Sequence, residues 1–235
     1  MNPIDDFKKE VAENIRQLGE DKDVQALSRI WLRETNQHKY SYNFSWLGRP
    51  IIQYPQDIVA MQELIWSIKP DLIIETGIAH GGSLIFSASM LALLDMCDAI
   101  ENGSSFNPIE SNRKVLGVDI DIRSHNLAAI EAHSMASRIQ MIQGSSIAPQ
   151  IIAQVYAIAA NHTCVLVCLD SNHTHENVFA ELEDYTPLTT IESYFAVLDK
   201  IIKDLSVEMF SNRPWGIGNN PKTAVRELLK TNTQF

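Results

Sequence analysis

The sequence predicts an α/β fold, a doubly wound and mostly parallel sheet covered by helices on both faces and preceded by N-terminal helices. Three observations carry that prediction. Short apolar runs without polar alternation ("DLIIETG", "KVLGVDID", "RIQMIQG", "TCVLVCLDS" and "SYFAVLD") follow one another along the chain. A strand buried on both faces reads this way, whereas a half-solvated antiparallel strand alternates. Segments of helical period separate the runs, and strand–helix alternation of this kind builds a parallel sheet. Finally, 235 residues with 45% hydrophobic and 20% charged content can bury one substantial core.

The elements follow in order. Ile4, Phe7, Val11, Ile15 and Leu18 recur at spacings of three and four, which predicts an amphipathic helix docked on another surface. The polar aromatic stretch "NQHKYSYNFSWLGRP" comes next. Residues 1–54 are therefore read as an N-terminal helical and lid segment, and residues 55–235 as the α/β domain. Tyr40, Tyr42, Phe44 and Trp46 would either stack on an acceptor ring or pack among themselves, and Trp215 in "RPWGIG" poses the same choice. Pro55 opens a helix with the apolar face Ile58, Met61, Ile65 and Ile68, which Lys69-Pro70 stops. Further helices are predicted near residues 82–95, 124–135, 148–160 and 174–185. A polar loop containing "NGSSFNP" interrupts residues 101–112.

Composition narrows the function. A formal charge of −10 argues against a non-specific grip on nucleic acid or anionic lipid, so a small or neutral partner is expected. Cys97, Cys164 and Cys168 are odd in number and form no C-x-x-C pair, which favours burial over disulfide or metal use and fits a reducing cytoplasm. The N-terminus lacks a basic stub before an apolar run. No apolar stretch is read as approaching the ~20 residues of a membrane span, so no transmembrane segment is expected.

In a doubly wound sheet, ligands gather at the C-terminal ends of the strands. That rule brings residues 75–82, 119–121, 144–146 and 170–173, with Asp199, around one crevice. Three readings compete for "ETGIAHGGS", residues 75–83. A phosphate-binding P-loop requires a lysine, and none lies between Lys69 and Lys114. A dinucleotide fingerprint requires glycine where Ala79 stands. S-adenosylmethionine carries no phosphate and suits a looser glycine turn at a helix N-terminus. Taken alone, the glycines are equally explained by the turn itself. Asp119 ends the second strand of the run, where a ribose diol would lie. In "LDSNHTHE", Asp170 and His173 sit at the crevice mouth, and with Asp199 they offer oxygen ligands and an imidazole to a hard cation such as Mg²⁺. A solvated histidine and a helix-capping aspartate are the plain alternatives. Glu181, Glu183 and Asp184 read as a solvated helix face.

The chain resembles the cephalosporin hydroxylase / rhamnosyl O-methyltransferase family from about Tyr40 to Leu229. The resemblance rests on "YSYNFSWLGRPIIQYPQDIVAMQELIW", "KPDLIIETGIAHGGSLIFSASMLALLD", "VLGVDIDIRSHN", "IQGSS", "LDSNHTHENVFAELEDYTPL" and "RPWGIGNNPKTAVRELL". It implies a Rossmann-like class I methyltransferase fold with an S-adenosylmethionine site at Glu75, Gly77, Ala79, Gly81, Ser83, Asp119, Ser145 and Asp170. It also implies Asp170 and Asp199 as Mg²⁺ ligands, and His173 with Asp170 as catalytic residues. Two departures stand out. Leu198-Asp199 replaces an acidic pair common in the family, and the further antiparallel strand pair of the fold is expected to be missing before Phe235. The expected activity is methyl transfer to a hydroxyl of a sugar, glycan or glycolipid of rhamnosyl type, or of a related small molecule. The exposed edge of the sheet admits a homo-oligomer. The alternatives are a non-haem Fe(II) oxygenase using Asp170, His173 and His175, and a cofactor-binding homologue with impaired catalysis.

Overall fold

A computed structural model of the chain describes residues 2–190, 193–198 and 213–232. Helices α1 (Pro3–Glu20) and α2 (Lys22–Gln37) come first, followed by a hairpin of β1 (Phe44–Trp46) and β2 (Arg49–Ile51), and then α3 (Pro55–Ile68). The alternating part comprises β3 (Leu72–Thr76), α4 (Gly82–Glu101), β4 (Lys114–Asp119), α5 (Ser124–Glu131), β5 (Ile139–Gln143), α6 (Pro149–Ala159), β6 (Val165–Leu169), α7 (His175–Tyr185) and β7 (Phe195–Val197), and α8 (Pro221–Thr231) closes it. The five-stranded sheet has the order β5-β4-β3-β6-β7 and every pairing in it is parallel. The order reverses at β3, so the crevice opens where β3 lies between β4 and β6.

Alternation along each strand divides the core between two layers. Leu72, Ile74, Val165, Val167 and Leu169 pack against residues of α6, α7 and α8, such as Val155, Leu182 and Ala224. Ile73, Val115, Leu166 and Cys168 face Ile65 of α3, Leu84 and Leu91 of α4, and Ile130 of α5. The doubly wound expectation is thus met, with Glu75 on the α4 face and Thr76 on the α7 face. The three cysteines are unpaired.

Three features depart from the sequence reading. First, α1 is a helix but buries none of its residues: Ile4, Phe7, Ile15 and Leu18 are each more than half exposed. Second, the stretch read as aromatic and irregular contains the β1–β2 hairpin, turned at Leu47 and Gly48 with φ of +44° and +85°. Its aromatics pack: Trp46 meets Phe86 edge-on and donates from Nε1 to the Ser89 hydroxyl at 2.9 Å, while Tyr40 lies edge-on to both Trp31 and Phe44. Third, by length and composition α4 is apolar enough to cross a membrane, but Leu84, Ile85, Ala88 and Leu91 are fully buried against the sheet. The expected lack of a further strand pair concerns residues that lie partly outside those described.

Candidate functional site

Residues 77–81 connect β3 to α4, and every side of this loop is held. Gly77 has φ +91° and donates its N–H to the Val118 carbonyl at 2.8 Å. A Cβ on Gly77 would collide with the carbonyl of Asp170. Glycine is therefore what lets the β3 loop lie directly on the turn after β6. A Cβ on Gly81 would strike Ile130 of α5, and one on Gly82 would strike the Pro50 carbonyl of β2. The glycines serve the turn and also its close packing against three other elements. Helix α4 starts without a side-chain cap, so no capping side chain takes up its first amides.

Asp119, at the end of β4, holds the loop from the other side. Its Oδ2 accepts from the Ile78 N–H at 2.7 Å and from the Ala79 N–H at 3.3 Å, and its Oδ1 accepts from Asp121 N–H at 3.0 Å. The carboxylate expected at a ribose thus organises the loop backbone, with lone pairs to spare. Ala79 is exposed and adopts φ +47°, a left-handed conformation unusual for a residue with a Cβ. Its carbonyl accepts from the Asn126 side chain at 2.8 Å, and Arg49 of β2 donates to the His80 carbonyl and to Asn126 Oδ1, each at 3.0 Å. Asn126 and Arg49 had been assigned no role from sequence. No local sequence pattern singles them out, because the burial that obliges Asn126 to find partners is created by the fold.

Glu75 is buried beneath the loop and accepts from the Ser87 hydroxyl at 2.5 Å. Burial pushes its carboxyl above the ordinary range, against hydrogen bonds from Ser87 and Ser83. Glu75, Ser83 and Ser87 line a small cleft with Ile51, Gln53, Ile58, Met61, Phe86, Cys168, Asp170 and Leu198. The cleft is apolar on most sides and carries acid groups at its base. Asp170 donates its N–H to the Thr76 carbonyl at 2.9 Å and accepts from the Gln53 side chain at 3.1 Å on Oδ2. Gln53 is another residue that the sequence left unassigned. The Cys168 thiol is pushed well up by burial and by the nearby carboxylates of Glu75 and Asp170, so it remains a neutral wall of the cleft.

The two histidines after β6 have different surroundings. His173 lies edge-on to Trp215, with ring centroids 4.9 Å apart. His175 is engaged with α8: its Nδ1 lies 2.8 Å from the Thr223 hydroxyl and its Nε2 3.1 Å from Glu227 Oε2. Asp170, His173 and His175 do not form a metal-ligating cluster, and among the described residues no three histidine, cysteine, aspartate or glutamate side chains do. Asp199, the second expected Mg²⁺ ligand, lies outside the described residues.

Ser145 follows β5 in a turn whose Gly144 N–H donates to the Asp119 carbonyl at 2.8 Å, so this turn abuts the end of β4. The next residue, Ser146, points the other way and donates to Glu181 at 2.6 Å. Glu181 corrects the sequence reading, because it is fully buried rather than part of a solvated face. It also accepts from the Ser171 hydroxyl at 2.5 Å, and Thr76 and Asn177 lie beside its carboxyl. Burial raises this carboxyl above its ordinary range, against hydrogen bonds from Ser146 and Ser171. The turns after β5 and β6 are thereby tied together under the end of β3.

Residues 38–235 match the family model described as Rhamnosyl O-methyltransferase/CmcI. Among curated proteins, the rhamnosyl O-methyltransferase of Mycobacterium leprae is 30% identical over 169 residues, covering 69% of this chain and 65% of that protein. The rhamnosyl O-methyltransferase of Mycobacterium bovis is 27% identical over 172 residues, covering 70% of this chain and 62% of its own length. The chain spans slightly less than two thirds of these relatives. A solved CmcI structure with Mg and S-adenosylmethionine aligns at a TM-score of 0.48 and 17% identity, over 68% of this chain and 59% of that one. The MycE methyltransferase of the mycinamycin biosynthetic pathway, solved with Mg, SAH and mycinamycin VI, aligns at 0.49 and 15% identity, over 93% and 56%.

Proposed function

Since the chain belongs to the rhamnosyl O-methyltransferase/CmcI family, we propose that it methylates a hydroxyl of a sugar, of rhamnosyl type or a related small molecule, using S-adenosylmethionine. The single observation that carries this reading is the contact at Gly77. The glycine loop proposed to hold the methyl donor lies against the backbone of Asp170, so donor loop and acceptor-side residues share one wall. The residues present suit such a donor. The uncapped start of α4 offers amides to a carboxylate, Glu75 and Ser83 offer polar groups to an ammonium, and Ile51 and Phe86 provide an apolar wall.

When bound, S-adenosylmethionine supplies an electrophilic methyl group whose C–S bond breaks as the acceptor's O–C bond forms. The chain's own work is positioning and proton removal. An alcohol is a poor nucleophile at neutral pH, and His173 takes its proton at a ring nitrogen, a contribution typically of roughly 10²- to 10⁴-fold. Asp170 orients the acceptor hydroxyl, and its carboxylate is itself fixed by Gln53. Mg²⁺ held by Asp170 and Asp199 is part of the proposal. Among the described residues only Asp170 is present to hold it, and the metal would supply charge to acidify an adjacent hydroxyl. The oxygenase alternative loses its ligand set, because His175 is committed to Thr223 and Glu227.

Calorimetry with S-adenosylmethionine, followed by turnover on a panel of deoxysugar glycosides, tests the proposal. His173→Ala is expected to lower turnover by at least about 10²-fold with donor affinity unchanged, and Gly77→Ala to weaken donor binding. Unchanged turnover in His173→Ala removes the base assignment. Donor binding without turnover on any acceptor favours the catalytically impaired reading.

A further inference from the structure

Helices α1 and α2 lie outside the segment that matches the family, which begins at residue 38. Asp21 joins them, ending α1 and capping α2 through its carboxylate, which accepts from the N–H groups of Asp23 and Val24. Among the described residues, the pair is fastened to the rest of the chain near the end of α2, through Trp31 against Tyr40 and the Asn36 side chain on the Tyr54 hydroxyl at 2.6 Å. At 100° per residue, Ile4, Phe7, Val11, Ile15 and Leu18 fall within a single narrow face of α1, and all five are exposed. On α2, Leu27, Ile30 and Trp31 are exposed as well.

An 18-residue helix is marginally stable in water by itself and draws most of its stability from packing an apolar face. Among the described residues α1 meets α2 but buries none of its own side chains. We propose that the α1–α2 hairpin is the surface through which two copies of this chain associate, the apolar stripe of α1 in one copy lying on the hairpin of the other. The area is sufficient: the eight exposed side chains offer roughly 900 Å² per copy, against the about 800 Å² per partner of a standard-size interface. Charge favours a second copy over a lipid surface. Helix α1 carries five acidic and three basic residues, a balance of −2, whereas membrane-surface helices are rich in lysine and arginine. Helix α2 carries two acidic and three basic residues, a balance of +1, so α1 of one copy and α2 of the other are complementary in a twofold pairing.

Sedimentation velocity on the full chain across micromolar concentrations tests this. The expected result is a reversible dimer of twice 26.4 kDa. Phe7→Glu combined with Ile15→Glu is expected to raise its dissociation constant by at least about 10²-fold, while Phe7→Leu preserves the dimer. Both Phe7 and Ile15 are more than half exposed, so the fold should survive substitution, as circular dichroism would verify. A wild-type chain that stays monomeric throughout overturns the proposal, as does a double variant that dimerises as well as the wild type. A monomer that co-floats with anionic vesicles overturns it too, and assigns the stripe to lipid instead.

Discussion

Ala79 shows how one residue separates two cofactor classes. Glycine at this position would complete the G-x-G-x-x-G spacing with Gly77 and Gly82, the pattern of a dinucleotide site. The backbone is already bent as such a glycine would bend it, at φ +47°, a conformation that costs a Cβ-bearing residue about 1–2 kcal/mol. The loop amides are nevertheless committed, because Asp119 Oδ2 takes the N–H groups of Ile78 and Ala79 that a pyrophosphate would require. Two negatively charged acceptors cannot share them. Ala79→Gly is therefore expected to leave thermal stability unchanged or to raise it by up to about 1 kcal/mol, since relief of strain outweighs the added freedom of the unfolded chain. It is expected to gain no affinity for NAD by calorimetry; measurable dinucleotide binding would show that Asp119 does not hold the loop. Sequence alone indicated that Ala79 breaks the dinucleotide pattern, but not that the position keeps a glycine-like conformation, which depends on Asp119 and Asn126, 40 and 47 residues away.

At the scale of elements, the strands were legible and their ties were not. Runs such as "LIIET" and "VLVCL" are buried at every position, and a run without alternation is what burial on both faces produces. The β1–β2 hairpin was illegible because its strands are three residues long and its turn contains Leu47 at positive φ, where a turn sequence normally has glycine or asparagine. Helix α7 was placed correctly but its environment was not. "AELEDY" reads as a charged surface, yet the i to i+3 step turns Glu181 inward while Glu183 stays exposed. Partners for Glu181 come from Ser146 and Ser171, which no local pattern relates to it. Replacing Glu181 with Ala leaves both hydroxyls without their buried acceptor, at a cost of about 1–3 kcal/mol each where no substitute is found. Glu181→Ala is accordingly expected to lower the melting temperature and weaken methyl-donor binding together, because the turns after β5 and β6 lose their common tie. Glu181→Gln, which still presents an acceptor, is expected to retain donor binding; equal losses in both variants would show that the carboxyl ties nothing together.

Across the whole molecule, the two ends of the sheet carry acids of opposite character, partly buried at one end and buried at the other. At the N-terminal ends of the strands, Asp71 accepts from the Thr163 and Cys164 N–H groups, and Asp95 accepts from Ser111, Arg113 and Arg138. Burial works against both charges, but these hydrogen bonds prevail and hold the two carboxyls below their ordinary range. At the C-terminal ends, around the crevice, burial prevails and raises Glu75 and Glu181. The consequences for stability have opposite signs. A carboxyl lowered on folding contributes stability that is present above its unfolded value, near 4, and is lost as the pH falls through the folded value. A carboxyl raised on folding favours the folded state below its unfolded value and penalises it increasingly as the pH climbs towards the folded value. Acid therefore attacks the N-terminal end of the sheet, and a rise in pH above the unfolded carboxyl value attacks the crevice. Glu75→Gln and Glu181→Gln are each expected to raise the melting temperature at pH 8 by a few degrees, where about 1 kcal/mol corresponds to about 2–4 °C for a chain of this size, and to bring little or no gain at pH 4. Asp95→Asn is expected to lower it at pH 8, since buried Arg138 loses a charged partner, and the difference should shrink on acidification as the wild-type aspartate protonates. Melting curves from pH 4 to pH 8 decide the matter, and parallel curves for all three variants would refute the division. If it holds, the instability is concentrated where the site is: Glu75, which would be more stable as glutamine, is kept as an acid at the base of the cleft proposed to hold the methyl donor's ammonium.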